Sequence, residues 1–268
     1  MRRTSALVVA FTFAAVVAIA AQGKREPLTA QSWTVDGMQR TALVAIPSTP
    51  TPAAGVPLVM IFHGHGGTSQ HSARTFAIHA HWPEAVVIYA QGLPTPGRLT
   101  DPEGRRPGWQ HQVGDQGDRD LHYVDAMLSW ARSRFTIDSK RIYAGGHSNG
   151  GTMTYVLWTG RGDVFAAVAP SASVFRRDLM PGAKPKPALI IAGEKDDRVP
   201  FAAQRMSLAS TLRLNQARPA GEPWSGRAVL HRSAIGADVV SYIHPGDHTM
   251  PEDAGALMVK FFKDHPAR

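Results

Sequence analysis

The chain holds 268 residues with a formal net charge of +8 and no cysteine. That length suits one α/β domain whose core can stand without staples, and the missing cysteine excludes disulfides, a thiol nucleophile and thiolate metal ligands. The basic residues are scattered, with small clusters at Arg105-Arg106 and Arg176-Arg177 that read as solvated surface, so no nucleic-acid partner is expected.

At the start, Arg2 and Arg3 precede an apolar run over residues 6–20 that only Thr12 interrupts, closing on Ala18-Ile19-Ala20 before the chain turns polar. This is the pattern of a signal peptide, too short to span a bilayer comfortably. The expectation is a leader at 1–20, a single domain at 21–268, and a secreted or periplasmic protein without stable membrane insertion. Removal of Arg2 and Arg3 leaves a net charge of +6.

Residues 32–35 and 40–47 flank the turn pair Asp36-Gly37 as a hairpin. A proline-rich loop leads to the continuous apolar run 57–62, the signature of a parallel strand covered on both faces, which ends in His63-Gly64-His65-Gly66-Gly67. Further strands of this kind fall at 85–90, 142–144, 165–169, 188–192 and 239–243, with helical patterns between them, clearest at 121–134 and 251–263. Alternation of strand and helix predicts an α/β fold with a doubly wound, mostly parallel sheet and helices on both faces. The one long irregular stretch, 92–116, follows a strand's carboxyl end, where ligands bind in such sheets.

Residues 141–155 read as a strand breaking into Gly146-His147-Ser148-Asn149-Gly150 and then a helix. A sharp strand-to-helix turn crowds the backbone at the serine, so small residues are required two positions to either side. Ser148 then stands at a helix N-terminus whose free N–H groups favour developing negative charge. The glycines lack the Gly-x-Gly-x-x-Gly spacing of a dinucleotide loop.

A nucleophilic serine needs a base and an orienting acid, and this type of sheet supplies them in the chain order serine, acid, histidine. Asp196, on the loop after the 188–192 strand, is the expected acid, with Asp197 and Glu194 as alternatives. His248 follows Gly246 past the last strand and is the expected base; His244, barely outside that strand, reads as structural. The backbone N–H groups of Asn149 and His65 are the expected oxyanion donors. His63-Gly64-His65 also has the spacing of a metal-binding His-x-His pair, but the glycines after it supply no further ligands, and neither metal nor cofactor is expected. His79 and His81 read as surface histidines. Trp109, between Gly108 and Gln110 in the irregular stretch, is the expected substrate-binding side chain.

These motifs, with Asp120-Leu121-His122-Tyr123 and His248-Thr249-Met250-Pro251, resemble the secreted α/β-hydrolase esterases that group polyhydroxyalkanoate depolymerases with feruloyl and acetylxylan esterases. The resemblance covers residue 33 to the C-terminus. It implies Ser148, Asp196 and His248 as a triad, and a small-molecule or oligomeric ester as substrate. Two departures stand out: His65 replaces the group's cysteine in the oxyanion turn, and Met250 replaces a tryptophan after the His-Thr pair, a change expected to soften the acyl side of the pocket.

Overall fold

The computed structural model describes residues 28–47 and 50–267; the leader expected at 1–20 lies outside the described residues. In chain order the strands and helices are β1 (Thr29–Val35), β2 (Met38–Ala45), β3 (Val56–Phe62), α1 (Ser69–Phe76), α2 (Ile78–His81), β4 (Val86–Ala90), β5 (Leu93–Pro94) and β6 (Pro107–Gly108). They continue with α3 (Arg119–Arg134), β7 (Ile137–His147), α4 (Asn149–Gly160), β8 (Ala167–Ser171), β9 (Ala188–Gly193), α5 (Phe201–Leu214), β10 (Glu222–Ser225), β11 (Ala228–His231), β12 (Val239–His244) and α6 (Ala254–Asp264).

Ten strands form one sheet in the order β1-β2-β4-β3-β7-β8-β9-β12-β11-β10. The six from β4 to β12 run parallel, and an antiparallel pair closes each edge. Every residue of β3, β4, β8 and β9 is buried, as expected of strands covered on both faces and rich in Val, Ile and Ala. One face packs against α3, α4 and the end of α5, the other against α1, α2 and α6. In α6 the buried set Ala254, Leu257, Met258, Phe261 and Phe262 repeats at three and four residues, which lays one stripe on the sheet. Each large side chain so buried stabilises the fold by roughly 1.5–3 kcal/mol relative to leaving it in water. By contrast α4 buries Met153, Tyr155, Val156, Leu157 and Trp158 around most of its circumference, so the helix that carries the serine turn is held from several sides.

The last helix and the irregular stretch differ from the sequence reading, and the edge strands β10 and β11 add to it. The last helix begins at Ala254 rather than at Pro251, because Pro251 supplies the carbonyl of a preceding turn that accepts from the Ala254 N–H at 3.1 Å. The irregular stretch folds back on itself, since β5 and β6 pair Leu93 with Gly108 and Pro94 with Pro107. Among the described residues no helix is long and apolar enough to cross a membrane.

Candidate active site

The turn after β7 shows why the glycines are where they are. Ser148 has φ +57° and ψ −119°, outside the regions an ordinary side chain favours, at a cost of about 1–3 kcal/mol that the surrounding packing must offset. A Cβ on Gly146 would lie 2.4 Å from the Gly150 carbonyl oxygen, and one on Gly150 would lie 2.1 Å from the Phe62 carbonyl oxygen. The first would push the start of α4 off β7, and the second would push it off β3. The Ser148 N–H donates to the Ser171 carbonyl of β8 at 2.9 Å, which fixes the turn to the neighbouring strand.

Because β9 and β12 are parallel neighbours, the loops after them leave the sheet at the same edge as the serine turn. They are tied together: Glu194 N–H donates to the His244 carbonyl at 2.9 Å and Lys195 N–H to the Gly246 carbonyl at 3.0 Å. His248 thereby comes between the other two groups. Its Nε2 lies 2.8 Å from Ser148 Oγ and its Nδ1 lies 2.8 Å from Asp196 Oδ2. The Asp196 side chain is fully buried and accepts three further hydrogen bonds, at Oδ1 from the N–H groups of Arg198 and Val199 and at Oδ2 from Gln204 Nε2. Four donors leave this carboxylate no freedom to turn.

The alternatives raised from sequence sit elsewhere. Asp197 and Glu194 are exposed. His244 is buried, accepts the Gly246 N–H at Nδ1, and is held below the ordinary histidine pKa by burial. His63 is buried too: its Nδ1–H donates to the Gly64 carbonyl at 2.7 Å and its Nε2 accepts the Gly92 N–H at 2.9 Å, so both ring nitrogens are spent within the protein. Burial lowers its pKa to about 4, and it is neutral above that pH. His79 is half-buried against the Tyr89 hydroxyl, and His81 is exposed.

The turn after β3 faces the serine, since a Cβ on Gly64 would lie 3.4 Å from Ser148 Cβ. At the start of α4, Asn149 has a backbone N–H that the helix itself leaves unpaired. Its side chain looks the other way, accepting from Trp109 N–H at 2.7 Å and donating to the Trp109 carbonyl at 3.1 Å. The His65 ring bonds Asp101 Oδ2 at 3.0 Å through Nε2, so Asp101, which also accepts from the N–H groups of Arg105 and Arg106, clips the irregular stretch to this turn.

Trp109 corrects the sequence reading. Its side chain is fully buried, packed edge-on against Phe62 with centroids 5.1 Å apart, and its indole N–H donates to the His63 carbonyl at 2.8 Å. It does not line the cleft that contains Ser148; it supports the β3 turn from beneath. The two-residue ladder of β5 and β6 drives it inward, and nothing local in sequence shows that ladder. Met250 likewise does not line the cleft, because its sulfur accepts from Ser171 Oγ at 3.0 Å and packs toward the core.

His147, in the variable position of the serine turn, was not singled out from sequence. Its Nε2 lies 3.0 Å from the His248 carbonyl oxygen and its ring meets that of His248 at 4.9 Å. Burial first, and then the neighbouring His248, lower its pKa to about 4. A neutral His147 therefore holds the backbone of the residue that bridges Ser148 and Asp196. The cleft over these groups, about 890 Å³, is also lined by Arg106 and Arg176, one from each basic cluster that read as solvated surface.

Comparison with known proteins agrees with this architecture. Residues 107–181, well under half of the chain, match the prolyl oligopeptidase family. A putative esterase, NocK, from Nocardia uniformis subsp. tsuyamanensis is 27% identical over 265 residues, covering 83% of this chain and 74% of that protein. Feruloyl esterase D of Neurospora crassa is 28% identical over 154 residues, and the match spans 55% of this chain and only about half, 52%, of the relative. Among solved structures, the acetyl xylan esterase from Aspergillus awamori superposes with a TM-score of 0.64 at 14% identity, covering 88% of this chain and 99% of that one. The chain has the α/β-hydrolase fold and is similar in sequence to esterases, a feruloyl esterase among them.

Proposed function

We propose that this protein is an exported serine carboxylic-ester hydrolase acting on feruloyl, acetyl or hydroxyalkanoate esters. The observation that carries the reading is the unbroken line from Ser148 Oγ through His248 to the buried Asp196, with 2.8 Å at each link. Asp196 holds the His248 proton on Nδ1, which leaves Nε2 free to accept from the Ser148 hydroxyl. As Ser148 Oγ attacks the ester carbonyl, its proton passes to Nε2 and the oxyanion meets the N–H groups of Asn149 and His65. The imidazolium then protonates the leaving alcohol oxygen. Water attacks the acyl-enzyme, gives its proton to Nε2, and releases the acid while Ser148 is restored.

Residues 6–20, the similarity to feruloyl esterases and the lack of a spanning helix among the described residues support export. The match of residues 107–181 to the prolyl oligopeptidase family favours a second reading, peptide cleavage through the same acyl-enzyme. A fluorophosphonate probe should label the wild-type protein at Ser148, and Ser148→Ala should abolish both labelling and hydrolysis of aryl acetates without changing the circular dichroism. Substantial turnover in that variant rejects Ser148 as nucleophile. Turnover of short peptides but not of esters moves the assignment to the second reading.

A further inference from the structure

The cleft over Ser148 is lined by four arginines, Arg98, Arg106, Arg176 and Arg198, and by no aspartate or glutamate. Two of these charges are partly offset from behind, Arg106 by Asp101 at 3.9 Å and Arg176 by its bond to Asp178. Arg98 and Arg198 make no ion pair among the described residues. A concave site with one sign of charge concentrates ligands of the opposite sign and speeds their arrival.

A second observation points the same way. Arg176 is fixed by Asp178 and by Gln112 Oε1 at 3.3 Å, and its side chain stays 23% exposed, so one guanidinium stands preset on the cleft wall. A guanidinium edge matches the two oxygens of a carboxylate.

We propose that the ester this enzyme hydrolyses carries a free carboxylate, met by Arg176 on the cleft wall and drawn in by Arg98, Arg106 and Arg198. The inference rests on the serine-esterase reading above and deepens it. The carboxylate can belong to the acyl part, as in the half-ester of a dicarboxylic acid, or to the alcohol part, as in an acetylated sugar acid; both present the same anion to the same wall.

The test compares kcat/KM for matched pairs: a monomethyl dicarboxylate against its dimethyl ester, and an O-acetyl uronic acid against its methyl-capped form. p-Nitrophenyl acetate serves as a plain ester. One of the two anionic substrates is expected to exceed its neutral partner by about tenfold, and the excess should shrink severalfold as salt rises from about 0.02 M to about 0.3 M. The pair that responds identifies the side of the ester that carries the charge. Arg176→Gln should bring the ratio close to one. Arg198→Gln, at an exposed position where folding is not at stake, should lower it by about two- to threefold. Arg105→Gln, on the loop of Arg98 and Arg106 but not lining the cleft, should keep the wild-type ratio. Equal rates for both members of both pairs, or a preference that neither cleft variant reduces, overturns the proposal while hydrolysis of p-nitrophenyl acetate leaves the esterase reading standing. Failure to hydrolyse any of the esters overturns both.

Discussion

Asp196→Asn isolates the step on which the proposed chemistry depends. Asp196 Oδ1 takes two backbone N–H groups, from Arg198 and Val199, while Oδ2 takes His248 Nδ1 at 2.8 Å and Gln204 Nε2 at 2.9 Å. An asparagine has one oxygen, and the two backbone donors retain it. Its NH₂ then faces two other donors. Gln204 cannot turn its amide to help without giving up its bond to the Val199 carbonyl. The relief open to His248 is to move its proton to Nε2, where it points at Ser148 Oγ and can no longer accept from it. The substitution thus converts the base to the wrong tautomer without emptying the site. A loss of about 10⁴-fold in kcat follows by analogy with serine-protease triads, or about 5.5 kcal/mol at 1.36 kcal/mol per tenfold. Asp197→Asn, on an exposed side chain one residue away, should stay within about 0.5 kcal/mol. Steady-state hydrolysis of an aryl acetate, with thermal unfolding of each variant as a control, measures both. If Asp196→Asn keeps more than a tenth of wild-type kcat, or Asp197→Asn falls as far, the orienting role of Asp196 is wrong.

Two further predictions concern the frame around the site. Trp109→Ala removes a fully buried indole and orphans the His63 carbonyl, so it should cost about 3–5 kcal/mol. In a protein of this size that lowers Tm by roughly 6–20 °C. Rates on aryl and short alkyl esters should fall together; a tenfold change in their ratio at unchanged Tm would return Trp109 to the substrate pocket. His63 sets a pH dependence of stability. Its folded pKa of about 4 lies below the ordinary histidine value of 6.5, so between those pH values the unfolded chain takes up a proton that the folded chain refuses. The stability it contributes is complete above pH 6.5 and is lost as pH falls, by roughly 3 kcal/mol near pH 4. The pKa of His147, also lowered to about 4, acts in the same direction. Urea unfolding at about pH 7 and pH 4.5 should show the fall, and His63→Gln should reduce it, leaving the part due to His147; equal midpoints at the two pH values would refute the assignment.

What was legible in the sequence was whatever one segment dictates alone. The buried runs of β3, β4 and β9 are continuous because both faces are covered, and the glycines around Ser148 are required by contacts of 2.1 and 2.4 Å that any Cβ would make. Asp196 and His248 could be placed because parallel strands deliver their following loops to one edge, so chain order becomes spatial order. The edge pair β10 and β11 was missed, since Pro223 breaks the strand pattern and each segment has only four residues.

The remaining errors share a different cause. Trp109, Arg176 and His147 were each misread or passed over because their surroundings come from chain tens of residues away. Trp109 is turned inward by Phe62 and His63, and Gln112 adds a distant contact to Arg176 beside its local partner Asp178. The His147 ring is set by a carbonyl 101 positions later. Position in the serine turn left that residue free to be anything; the loop after β12 made it a clamp. The consequence is a division of labour within the site. The groups proposed to exchange protons follow from local rules, whereas the groups that hold those atoms to 2.8 Å are fixed by tertiary packing. Removing the His147 ring would therefore leave every proposed proton-transfer group in place and still release the His248 backbone.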